Sequence, residues 1–182
     1  INSKFSEYIK NHSEYDMPEE FWYPPFQGCE NVKHINIGRR VEWLPDYIFE
    51  NLINIKSIQI PLSVKYISIC AFEGCRGLTE VIIPNSVIRI GWCAFRNCSG
   101  LSKVEMSDSV TEIDWCAFYG CKKLTKVKIP SSITKIGTNA FGSCDNLTEI
   151  IVSESNKKYD SRNNCNAIIE TASNTLIIGC KN

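Results

Sequence analysis

The sequence predicts a repeat solenoid: stacked 23-residue coils with a parallel β-sheet face, short helical or 3₁₀ turns on the other side, a helical N-terminal cap and a C-terminal β-hairpin. Three observations predict it. Phe26, Phe49, Phe72, Phe95, Phe118 and Phe141 recur at a spacing of 23. Nine and eleven residues after each Phe come apolar pairs such as Val81/Ile83, Val104/Met106 and Val127/Ile129. Alternation with period two marks a half-buried strand. Cys75, Cys98, Cys121 and Cys144 keep the same spacing of 23, with Leu52 in an equivalent slot, so that slot is an apolar core position.

Residues 1–24 precede clear repetition. Phe5, Tyr8, Ile9 and His12 are spaced for one face of a short helix, which would lid the open end of the first coil. Residues 25–153 are the repeats, and 154–182 an irregular hairpin coil, all within one structural domain. Pro61, Pro84 and Pro130 stop the strands they follow. A second apolar pair follows, as in Val64/Ile67 and Val87/Ile90, and then a turn slot filled by Ser68, Gly91, Asp114 and Gly137. The Ala-Phe-x-x-Cys segment is too short for a full helix and is expected to form a single helical or 3₁₀ turn. Stacking at about 4.8 Å would pair the strands into one continuous sheet and set Phe over Phe and Cys over Cys. A second cysteine column, Cys70, Cys93 and Cys116, continues with Asn139, which places it nearer the surface. After Val152 the pattern fails: Asn156 and Tyr159 fill the slots of Ile133 and Ile136. Ala167–Glu170 and Thr175–Ile178 then read as a hairpin.

Composition narrows the function classes. Twenty basic and 20 acidic residues give a formal net charge of zero, which offers no global case for nucleic acid or an anionic membrane. No apolar run is long enough to insert in a membrane. The start, Ile1-Asn2-Ser3-Lys4, is neither a Met nor a signal peptide, so the chain reads as a mature or trimmed fragment. Ten cysteines is a high count, but eight of them fall in two columns, which reads as mostly reduced packing thiols rather than a disulfide framework.

The run Ile83–Leu101, with its strand end, Pro-x-Ser-Val turn and Ala-Phe-x-x-Cys segment, resembles the BspA-like, or Treponema pallidum type, leucine-rich repeat. The resemblance covers roughly residues 26–152, and Asn139 for Cys and Ser107 for Pro depart from it only at surface and turn slots. It implies an extracellular or cell-surface location, chiefly in bacteria, and a role in adhesion or in binding host or matrix proteins. It transfers no catalytic residue.

Candidate binding residues lie on the outward strand positions: Glu80, Lys103, Glu105, Lys126, Lys128 and Glu149, with a locally basic patch at the three lysines. Trp92 and Trp115 share the slot after the turn residue and are expected to be exposed neighbours along the stack, suited to a protein or glycan ligand. The expected function is a non-catalytic protein-binding module; the alternatives are a structural spacer within a longer surface protein and glycan binding through the tryptophans. No G-x-S-x-G, H-E-x-x-H, Walker or dinucleotide signature occurs, so no enzyme is expected. No cofactor or metal is expected either. Cys70/Cys75, Cys93/Cys98 and Cys116/Cys121 give C-x₄-C spacing, but one member of each pair belongs to the core column.

Overall fold

A computed structural model describes residues 25–162 and 165–180. The helical cap expected before residue 25 lies outside the described residues. From Phe26 onward the chain is a β-solenoid of parallel sheets whose coils keep the 23-residue register.

From the coil of Phe49 to that of Phe118, each coil contributes two strand segments, not one. On the front, β2 (Ser57–Ile58), β4 (Glu80–Ile83) and β6 (Lys103–Met106) form a parallel ladder, and β8 (Lys126–Ile129) pairs with β10 (Glu149–Val152) in the same sense. The single continuous sheet expected from the sequence is therefore divided between β6 and β8. The second apolar pair forms its own five-stranded parallel sheet: β1 (Trp43–Leu44), β3 (Tyr66–Ile67), β5 (Arg89–Ile90), β7 (Glu112–Ile113) and β9 (Lys135–Ile136). Pro84 and Pro130 end β4 and β8 because they offer no N–H, while Ser107 and Ser153 fill that slot after β6 and β10, and two residues after the bend suffice for a second ladder when coils stack on both sides.

The expected helical or 3₁₀ turns do not form around the Ala-Phe-x-x-Cys segments. A helix would commit every N–H within its own coil; here the donors alternate. Ala71, Glu73 and Cys75 donate to Ser68, Cys70 and Phe72 of the same coil, while Cys70, Phe72 and Gly74 donate to Trp92, Ala94 and Arg96 of the next. The same alternation repeats from Cys93 to Cys98. Left-handed backbone makes this possible at two slots per coil. One holds Tyr47, Cys70, Cys93, Cys116 and Asn139; the other holds Gly28, Asn51, Gly74, Asn97, Gly120 and Ser143. Gly and Asn enter that region most readily, which accounts for most of the second slot.

The core is columnar. Phe72, Phe95, Phe118 and Phe141 stack with centroids 5.0, 5.2 and 5.2 Å apart and planes within 5°. Beside them, Cys75, Cys98, Cys121 and Cys144 are buried thiols that donate to the carbonyls of Phe49, Phe72, Phe95 and Phe118 at 3.0 to 3.3 Å. Leu52 fills the equivalent space without a donor, so the slot asks for apolar volume first and accepts a weak hydrogen bond as well.

At the C-terminal end the polar replacements close the stack. Asn156 Nδ2 donates to the carbonyls of Pro130 and Ile133, and the Tyr159 hydroxyl accepts from the Ile136 N–H. The hairpin forms as expected: β12 (Ala167–Glu170) pairs antiparallel with β13 (Thr175–Gly179), and β11 (Tyr159–Asp160) adds to it. Tyr159 and Ile168 join the main core.

Candidate functional site

Front-strand geometry fixes where the predicted binding residues sit. Val81, Val104 and Val127 point inward, so Glu80, Lys103 and Lys126 point outward, as do Ile82, Glu105 and Lys128 two residues on. Register pairs Glu80 with Lys103, Ile82 with Glu105, Lys126 with Glu149, and Lys128 with Ile151. The patch is less basic than its composition suggests. Lys103 Nζ lies 2.6 Å from Glu105, and Lys126 Nζ 2.8 Å from Glu149. The Glu105 hydrogen bond, helped by its charge, raises the Lys103 pKa above its ordinary value. Lys128 has no ion-pair partner among the described residues, and Ile82 is 57% exposed beside these charges.

Trp92 and Trp115 are 53% and 46% exposed. Their carbonyls accept from Cys70 and Cys93, which locks the backbone of this slot coil to coil and leaves the indoles outside the core.

Two clusters escaped the sequence reading. Asp114, expected only as a turn residue, is 1% exposed. Arg89 reaches it at 2.6 Å and Lys135 at 3.4 Å, and both also approach Glu112, at 3.6 and 3.5 Å. Two cations and two carboxylates thus clamp three coils on the second sheet. Reading the strand slots Arg89, Glu112 and Lys135 as one column would have shown the alternation of sign.

The other cluster surrounds the second cysteine column. Cys70, Cys93 and Cys116 are buried, contrary to the surface placement expected from Asn139, and Tyr47, Ile69 and Tyr119 pack against them. Asn139 alone in this slot is exposed, since it lies nearest the C-terminal end. The turn bond from Glu73 N–H to the Cys70 carbonyl, 3.0 Å, folds Glu73 back onto Cys70. Cys70 Sγ, Cys93 Sγ and a Glu73 oxygen all lie within 4.8 Å of one another. Burial pushes the Cys70 thiol far up, and its hydrogen bond to Glu73 pushes it further; burial and then the Glu73 charge raise Cys93. Glu50, one coil before Glu73, is raised by burial and by that neighbouring carboxylate. Arg96 meets Glu73 at 3.2 Å and lies 6.0 Å from the centre of the Tyr119 ring. Cys75 turns away into the core, as the sequence indicated, so the C-x₄-C pairs do not converge. The set that converges spans two coils.

An open concavity of about 780 Å³ lies where β10 meets the hairpin, lined by Glu149, Ser153, Asp160 and Arg162 among others. Asp160 and Arg162 pair with each other there at 2.7 Å. No described helix is long and apolar enough to cross a membrane.

The sequence matches the BspA type leucine-rich repeat region in six copies over residues 19–86 and 70–175. The chain belongs to the BspA-type leucine-rich repeat family. Solved structures resemble this BspA-type solenoid. The pneumococcal vaccine antigen PcpA is 27% identical with a TM-score of 0.60, over 65% of this chain and 29% of that one. A leucine-rich cell surface protein from Faecalibacterium prausnitzii is 28% identical with a TM-score of 0.60, over 72% of this chain and 41% of that one. A leucine-rich repeat protein from Bacteroides ovatus is 32% identical with a TM-score of 0.54, over 72% and 39%. The match therefore spans well under half of each neighbour's length. No curated protein matches the sequence. The BspA-type match defines a repeat domain of a kind typically without catalysis, and its neighbours include bacterial surface proteins.

Proposed function

We propose that this solenoid is a non-catalytic protein-binding module of a secreted or cell-surface protein, and that its contact surface is the front sheet at Glu80, Lys103, Glu105, Lys126, Lys128 and Glu149. One observation carries the reading: the inward slots repeat nearly the same residue in every coil, while the outward slots of the same strands change between acid, base and Ile on an unchanged backbone. Varied side chains on a rigid, repeated frame suit recognition of a partner whose own surface mixes charge and apolar area. The cell-surface neighbours support the location.

The two exposed tryptophans favour a second reading, glycan binding through Trp92 and Trp115. The test immobilises the protein and screens purified extracellular-matrix proteins and a glycan array. Lys103→Ala/Lys126→Ala/Lys128→Ala should abolish a protein hit, and Trp92→Ala/Trp115→Ala a glycan hit. Hits unchanged by both folded variants, or no hit at all, would leave the chain as a spacer within a longer surface protein.

A further inference from the structure

We propose that Cys70, Glu73 and Cys93 form a binding site for a thiophilic divalent cation of the zinc type, bridging two adjacent coils. The three donor atoms lie within 4.8 Å of one another, which lets one ion touch all three after small side-chain rotations. Two thiolates and a carboxylate are a donor set such ions take, and three protein ligands leave a fourth position for water.

The backbone under the site is fixed before any ion arrives. Cys70 and Cys93 share the left-handed conformation, at φ 51° and 54°, and their N–H groups are tied to the next coil at 2.8 and 3.0 Å. The turn bond from Glu73 to Cys70 holds the carboxylate on the same side. The cysteines are 7% and 5% exposed, while Glu73 keeps a wetter edge through which an ion could enter.

Charge balances as well. Two thiolates and Glu73 carry three negative charges; the ion supplies two positive charges and Arg96, at 3.2 Å from Glu73, the third. Binding exchanges the two thiol protons for the cation, so two protons leave for each ion bound. The other cysteine column shows what pure packing looks like in this fold. There each thiol donates to a phenylalanine carbonyl. In this column Cys70 and Cys93 face a carboxylate instead, an arrangement that serves a cation better than a core.

The test is an anaerobic titration of the reduced full chain with Co²⁺, read by the thiolate-to-cobalt charge-transfer band and reversed by Zn²⁺. One Co²⁺ per chain is expected. Cys70→Ser and Cys93→Ser should abolish the band, and Glu73→Gln should weaken binding roughly tenfold or more. Cys29→Ser, Cys116→Ser and Cys165→Ser should leave it intact. Because serine in a buried slot risks unfolding, a second measurement uses the unaltered protein: Zn²⁺ should slow alkylation at Cys70 and Cys93, identified by peptide mass, and not at Cys29 or Cys165. A band that survives Cys70→Ser and Cys93→Ser overturns the assignment. So does loss of the band in the Cys29, Cys116 or Cys165 variants, the absence of any band at stoichiometric metal, or unchanged alkylation at Cys70 and Cys93.

Discussion

Raising the pH should destabilise this solenoid, because its core is lined with thiols. An ordinary cysteine titrates at 9.0; burial pushes Cys75 and Cys144 up to about 12 and holds Cys98 and Cys121 well above 9.0. A group whose folded pKa is raised contributes stability that is full below its unfolded pKa and lost as pH rises toward the folded value. The window therefore opens near 9.0 and runs to about 12. At about pH 10 each unfolded thiol gains on the order of 1 kcal/mol that its folded counterpart does not, so Cys75 and Cys144 together lose roughly 2–3 kcal/mol relative to neutral pH, and Cys98 and Cys121 act in the same direction. Domains hold only about 5–15 kcal/mol in total, so the effect is large. Urea unfolding of the reduced protein, followed by circular dichroism between about pH 8 and 10, should show the midpoint falling steeply. The decisive comparison is with Cys75→Val, an apolar replacement in a slot where Leu52 already stands for Cys. That variant should lose on the order of 1 kcal/mol less over the same interval. Equal pH dependence in the two proteins would refute the claim that the Cys75 proton is held by burial.

Phe95→Ala should cost about 3–5 kcal/mol in urea, since Phe95 is fully buried between rings on both sides, and more than Phe26→Ala at the half-buried end of the ladder. Equal losses would mean the ladder is not packed as a unit. Ser143→Gly should raise stability by roughly 0.5–1 kcal/mol, because Ser143 sits at φ 53° where Gly28, Gly74 and Gly120 occupy equivalent slots. A lower melting temperature would refute this.

The columns were legible in the sequence because the period is written there: six phenylalanines at one spacing leave their packing little choice, and a ring ladder follows. The turn geometry was not legible. Its first left-handed slot holds residues as unlike as Tyr47, Cys70 and Asn139, so no local propensity announces it. At Tyr47, Cys70, Cys93 and Cys116 the conformation goes with an N–H donated to the next coil, a partner that exists only once that coil is in place. The second sheet escaped for the same reason: a two-residue strand such as Arg89–Ile90 has no identity apart from Tyr66–Ile67 before it and Glu112–Ile113 after it.

That dependence also governs where chemistry can gather. Along the chain, Cys70 and Cys75 are near neighbours, yet one faces Glu73 and the other faces the phenylalanine ladder. Cys93 is 23 residues from Cys70 and shares its cluster. A motif search that reads spacing along one strand of sequence tests the wrong pairs in a solenoid, because the coil advances one rung for each period and returns every slot to the same side. Glu50, Glu73 and Arg96 form such a returned column, and their changing charge beside a constant pair of thiols is what singles out the Cys70–Cys93 step from the Cys93–Cys116 step. Only at the first of these does a carboxylate stand against two thiols with a cation behind it.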